Sequence, residues 1–323
     1  MVRFNPKARL DQSRVRDAGA SGGRGPAGSG MRIPLPGGKG GIGGIVVLVI
    51  LFLLARFLGL DLGLGGGTSG DSPAAQKPTS GLVQLRYEDC RSGADANTNQ
   101  DCARLAIENS ITAYWADALP ELRDYDGGGA RQFRAIDALY TFTGSVNTGC
   151  GPASSDVGPF YCPSDESIYL DTTFFDDVLE RQLGGPDGVF VEFYVLAHEY
   201  GHHISNLIGS MGLVRTQETG PDSPGVRLEL QADCFAGMWA AHASQTRDAD
   251  GNLLIEELSK QDLDEALAAA AAVGDDRIQQ TTQGRTNPES WTHGSAAQRQ
   301  YWFTRGYKDG GCDTFAARTV QVR

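Results

Sequence analysis

Residues 198–203 read His-Glu-Tyr-Gly-His-His, and no other stretch limits so sharply what this chain can fold into. His198 and His202 are four apart, a spacing that only a helix turns into two imidazoles on one face, one turn apart, where both can reach a single zinc ion. Glu199 then points toward the water such an ion would hold, the position of a general base. The chain has five histidines in 323 residues, so a chance HExxH is expected in well under about one such chain in a hundred. Residues 189–197 are apolar enough for a buried helix, Ile204, Leu207 and Ile208 extend that face, and Gly209 offers a stop. Gly201 inside the helix costs roughly 1 kcal/mol against alanine. That cost implies the close approach of another element.

A catalytic zinc takes three protein ligands and keeps one position open, so a third donor must come from elsewhere. Residues 226–243, VRLELQADCFAGMWAAHA, read as a second helix in which Glu229 and Asp233 share a face. Glu229 is the candidate third ligand. Asp233 is the candidate acceptor for the far nitrogen of a ligating histidine, a contact that fixes tautomer and ring orientation. His203 reads as a helix neighbour facing away from the pair, and His242 as an ordinary histidine. The plainer alternative is a buried helix with incidental histidines and, downstream, a solvated acidic face.

Four blocks in order, GCGPASSDVGPFYCPSDESIYLD (149–171), HEYGHH, RLELQADCFAGMWA and HGSAAQRQYWFTRGYKDG (293–310), resemble the bacterial neutral zinc metallopeptidases. The resemblance runs from about residue 81 to the end, and the basic and apolar N-terminal arrangement also fits it. It implies a zincin-like domain of the glutamate-ligand type that binds Zn2+ through His198, His202 and Glu229, with Glu199 as base. It implies no particular substrate.

The coarse order of elements is a helix near 101–118, strands between about 133 and 173, the two helices above, an alanine-rich helix at 262–273 and a helix from Gln298. That order reads as α+β with a small antiparallel or mixed sheet. Ser259 with Asp262, and Ser295 with Gln298, have capping-box spacing. Residues 166–171 read as a strand, here the candidate edge that would hold an extended peptide by main-chain hydrogen bonds. His293, just outside a helix start, is a candidate donor to the oxyanion of a tetrahedral intermediate. Asp248 to Asn252 opens like a calcium loop, but Leu253 and Ser259 stand where glycine and glutamate are required, so it reads as a turn. Gly37 to Gly44 lacks the Lys-Ser/Thr step of a phosphate loop.

The front of the chain sets the expected compartment. Residues 1–39 hold eight Lys or Arg against two acids and are rich in Gly, Ser and Pro, a composition that predicts a disordered tail over 1–41. Residues 42–60 are apolar apart from glycines and Arg56, enough for one transmembrane helix, and 61–80 read as a flexible linker. Basic residues before the span place the N-terminus in the cytoplasm and the 81–323 domain outside, in the cell envelope. All six cysteines follow the span, as export predicts. About fifteen pairings are open to them. The short loops favour Cys90 with Cys102 and Cys150 with Cys162, leaving Cys234 with Cys312. Of the formal charge of −12, residues 1–60 contribute nine bases against two acids, so the remainder is strongly acidic, which excludes ready binding of nucleic acid.

The combined expectation is a membrane-anchored zinc peptidase, an endopeptidase by preference, acting on peptides or proteins outside the cytoplasm. The alternative is a non-catalytic membrane-anchored scaffold with a structural zinc. Glu199 separates them, since a structural site has no use for a carboxylate beside the water.

Overall fold

A mixed four-stranded sheet backs two crossed helices, and the first twenty residues help to build it. The computed structural model describes residues 2–20, 84–122, 132–175, 179 and 189–322. In chain order the elements are β1 (Arg3–Phe4), β2 (Val15–Ala20), α1 (Gly93–Ala96), α2 (Gln100–Glu121), β3 (Leu139–Thr143), β4 (Ser145–Thr148), β5 (Gly151–Ser154), β6 (Phe160–Cys162) and β7 (Ser167–Asp171). Then follow α3 (Val189–Leu207), α4 (Pro224–His242), β8 (Ile255–Glu257), α5 (Lys260–Ala272), α6 (Asp275–Gln283) and α7 (Ala296–Asp309). The architecture is α+β, as expected.

The sheet order is β2-β3-β7-β6, with β2 and β7 parallel to β3 and β6 antiparallel to β7. Alternation along each strand separates two apolar faces. Leu139, Ile168 and Leu170 enter the main core with the helices, whereas Tyr140, Phe142, Tyr169 and Phe160 form a second cluster under the β4–β5 hairpin. The Tyr140–Tyr169 and Phe160–Tyr169 rings stack at 5.1 Å. The disulfides join Cys90 to Cys102, Cys150 to Cys162 and Cys234 to Cys312, the expected pairing. Cys150–Cys162 ties the hairpin to β6 and Cys234–Cys312 ties α4 to the C-terminal segment. Both expected capping boxes are present, at Ser259/Asp262 and Ser295/Gln298. The Asp248 turn is a turn, closed by hydrogen bonds from Asp250 and Asn252 to the Asp248 carboxylate.

Two expectations are corrected. The strand at 167–171 is β7, which lies between β3 and β6; the rim that contacts α3 is β6. Residues 2–20 are not a disordered tail. Phe4, Ala8, Leu10 and Val15 are buried, and Phe4 meets Phe193 of α3 edge to face at 6.2 Å. The bases that suggested disorder find acids on the domain: Arg14 bonds the fully buried Glu108 at 2.9 Å, and Arg3 and Arg9 pair with Glu256 and Asp250. Composition misled because that charge is complementary to the acidic remainder of the same chain rather than to water.

The sheet also bears on the expected membrane topology. The segments at 42–60 and 61–80 lie outside the described residues, and among the described residues no helix is long and apolar enough to cross a membrane. β2 is hydrogen-bonded to β3, so residues 15–20 and 139–143 share one sheet. The expected single crossing at 42–60, with the N-terminus inside and the domain outside, would set these two paired strands on opposite sides of a membrane. Reporters fused to the two ends should therefore react together, or not at all, with a membrane-impermeant reagent on intact cells. One labelled and one shielded end would contradict the pairing. Phe4→Ala should cost about 3–5 kcal/mol in denaturant unfolding, the range for an emptied phenylalanine site.

Candidate metal centre and active site

α3 and α4 cross where their backbones nearly touch. A Cβ on Gly201 would lie 2.8 Å from the Ala232 carbonyl oxygen and 2.9 Å from its Cα. This is the close approach that the glycine implied, and it sets Glu229 and Asp233, flanking Ala232 on α4, against the histidines of α3. α4 is capped by Ser223, whose side chain accepts from the Val226 amide, with Pro224 in its first turn, so Glu229 sits in the second turn of a well-started helix.

The donors converge as the spacing predicts. His198 Nε2 is 3.2 Å from Glu229 Oε2 and His202 Nε2 is 3.5 Å from Glu229 Oε1, and one ligand atom from each residue lies within 4.8 Å of the others. Zinc bonds of about 2.0–2.1 Å in tetrahedral array set neighbouring donors about 3.3 Å apart. Two imidazole nitrogens and one carboxylate at this spacing fit zinc and leave a fourth position. Desolvation works to raise the Glu229 carboxyl, but His202 and His293 nearby, with the histidine contacts, hold it well below the usual range. Burial opposes charge on His198, yet Asp233 and Glu229 outweigh it and lift the imidazole to about 10. A metal must therefore displace a proton there.

Asp233 takes its expected place, its Oδ1 2.8 Å from His198 Nδ1. That contact leaves Nε2 facing Glu229. Asp233 is fully buried and also accepts from the Tyr194 hydroxyl at 2.5 Å and from Arg299, Nε to Oδ2 at 2.8 Å and Nη2 to Oδ1 at 2.9 Å. Tyr194 and Arg299 are the residues that sequence reasoning missed. Tyr194, four residues before His198, was legible from helical spacing; Arg299 had no local signal.

Glu199 is buried beside the histidines and lines the same cavity. Burial raises its carboxyl above the ordinary value, His198 and His202 pull it part of the way back, and Glu229 pushes it up again. His203 faces the sheet. Asn206 donates to the Tyr161 hydroxyl (3.0 Å), which meets His203 Nδ1 (3.0 Å), while His203 Nε2 bonds the Arg134 carbonyl (2.8 Å). This chain fixes the edge strand β6 against α3. His242 stacks on Tyr114 away from the centre.

His293 lines the cavity from the third side. Its Nδ1 is 2.9 Å from the Thr292 hydroxyl and 3.6 Å from Asp275 Oδ1. Asp275, at the start of α6, grips the loop: its Oδ2 accepts the amides of Thr292, His293 and Gly294 at 2.7, 2.7 and 3.0 Å. Desolvation opposes charge on His293, but Glu229 and Asp275 raise it above the usual histidine value. The cavity itself is about 270 Å³, and Val195, Met211, Val214, Leu228 and Phe160 give it apolar walls.

Residues 5–315 match the family described as "Putative neutral zinc metallopeptidase". This chain belongs to that family. The match includes β2, in accord with its place in the sheet. An uncharacterized protein of Mycobacterium tuberculosis, Rv2575, is 54% identical over 232 residues, covering 71% of this chain and 75% of that protein. An uncharacterized protein of Escherichia coli, YpfJ, is 36% identical over 317 residues, covering 96% and 98%. No solved structure matches the chain.

Gly201→Ala gains the roughly 1 kcal/mol of helix propensity only in open space. Here it pushes backbone against backbone, so it should lose about 1–3 kcal/mol on urea unfolding. Because a proton must leave His198, zinc affinity measured against a chelator should fall roughly tenfold per pH unit as pH drops from 9 to 6. A flat profile would contradict the proton displacement.

Proposed function

We propose that this member of the family is a zinc-dependent peptidase that hydrolyses peptide bonds outside the cytoplasm. The observation that carries the proposal is Glu199, a buried carboxylate one residue from a metal ligand, at a three-donor centre that opens into an apolar cavity. Zinc held by His198, His202 and Glu229 would supply Lewis-acid polarisation and lower the pKa of water at the open position. Glu199 takes the proton of the attacking water on its carboxylate and passes it to the leaving amine. Burial, by raising that carboxyl, suits it to a proton it must both accept and give up.

The rest of the cleft has roles for the substrate. His293, with Nδ1 turned to Thr292 and Asp275, keeps Nε2 for donation to the developing oxyanion. The outer edge of β6 holds the peptide backbone by strand addition, and the apolar walls exclude water around the reacting groups. Three disulfides support an oxidising compartment. In this reading residues 2–20, joined to the domain through β2, share it. The rival scaffold reading gives no role to Glu199 or to His293.

The test uses full-length protein with casein and a peptide library as probes. Glu199→Gln should keep one zinc per chain and lose about 10²–10⁴ in turnover, the usual contribution of general acid–base catalysis. Equal cleavage by both proteins, or none by the zinc-loaded wild type, would remove the proposal. His293→Ala should lower kcat by about 10²–10³ with zinc content unchanged; unchanged kcat would strip His293 of its role.

A further inference from the structure

We propose that Arg299 is a positioning residue of the metal centre, acting through Asp233 to hold His198 in its ligating orientation. Asp233 is completely buried, and its Oδ1 accepts the Nδ1 proton of a histidine that ligates through Nε2. A carboxylate taken out of water without a cation beside it is strongly disfavoured. Arg299 is that cation. Its guanidinium forks onto both Asp233 oxygens, at 2.8 and 2.9 Å, and its Nη2 stands 3.3 Å from both the Tyr194 hydroxyl and His198 Nδ1. Two parallel charge-assisted bonds fix the plane of the carboxylate as well as its charge, a geometry that lysine cannot reproduce.

The helix that carries Arg299 is itself held. Ser295 and Gln298 cap the start of α7, and the Arg299 amide bonds the Ser295 carbonyl at 3.0 Å. Farther along, α7 and α4 meet backbone to backbone, where Gly237 faces Phe303 and Gly306 faces Cys234, with no room for a Cβ at either glycine. Arg299 and Asp233 thus sit on two elements that cannot drift apart, and both are nearly free of solvent contact. The order of support runs from α7 through Arg299 and Asp233 to His198.

This inference uses the zinc-site reading, and its main readout is metal affinity, so it can fail or succeed apart from any peptidase activity. Full-length wild type, Arg299→Lys, Arg299→Gln, Asp233→Asn and the Arg299→Gln/Asp233→Asn double variant are titrated with zinc against a competing chelator, with thermal unfolding in parallel. Arg299→Gln should weaken zinc binding about 10–100-fold, the range for loss of a residue that supports a ligand. Arg299→Lys should lose less. The double variant should bind no worse than Asp233→Asn alone, because Arg299 acts through Asp233. Lower thermal stability with unchanged zinc affinity in the Lys and Gln variants would make Arg299 merely structural. Unchanged zinc affinity with a raised KM would make it a substrate contact. Additive losses in the double variant would deny that it works through Asp233. Each of these three results overturns the proposal.

Discussion

The site depends on one contact between two helix backbones. α3 and α4 can cross at Gly201 and Ala232 only because Gly201 has no side chain, and that crossing brings the imidazoles of one helix to the carboxylates of the other. Helical period supplies the rest. His198 and His202 on one helix, and Glu229 and Asp233 on the other, are each four residues apart, so two crossed ladders give a metal grip and its support in one layer. A side chain at the crossing would displace the third ligand rather than merely loosen the packing.

Around that contact the chain manages buried charge by pairing rather than by exclusion. Asp233 is neutralised by Arg299, Glu108 by Arg14 and Glu192 by Arg104, each pair with at least one fully or nearly fully buried partner. Such pairs contribute little net stability compared with apolar replacements, but removal of one partner strands a charge. Two of them also brace α3. Arg104 on α2 holds Glu192 in the first turn of α3, and from Glu108 a hydroxyl relay runs through Thr112 to Tyr200, next to Glu199. The far end of that relay is Arg14, so the N-terminal segment reaches the back of the metal helix.

The site was more legible in the sequence than the frame around it. Helical period announces His198, His202, Glu229 and Asp233, the helix-breaking cost of Gly201 announces the crossing, and capping chemistry marks the starts of α5 and α7. All of these are local signals. Arg299 could not be found in this way, because its role arises from the docking of α7 on α4 far along the chain. β6 is only three residues long, and β7 reads as the stronger strand, so the edge was assigned to the wrong one. Residues 2–20 were misjudged because base-rich, glycine-flanked sequence resembles a solvated tail until its acidic partners, more than ninety residues away, are known. The apolar stretch at 42–60 lies outside the described residues, and a single crossing there would part β2 from β3, a pairing that no window of sequence reveals.

The central claim is that two imidazoles and one distant carboxylate hold a single ion. Anomalous diffraction at the zinc edge, from crystals of the zinc-loaded protein, tests it most directly. One peak about 2 Å from His198 Nε2, His202 Nε2 and a Glu229 oxygen is the predicted result. A peak elsewhere, or a Glu229 side chain rotated away with no third protein donor in its place, would contradict the account.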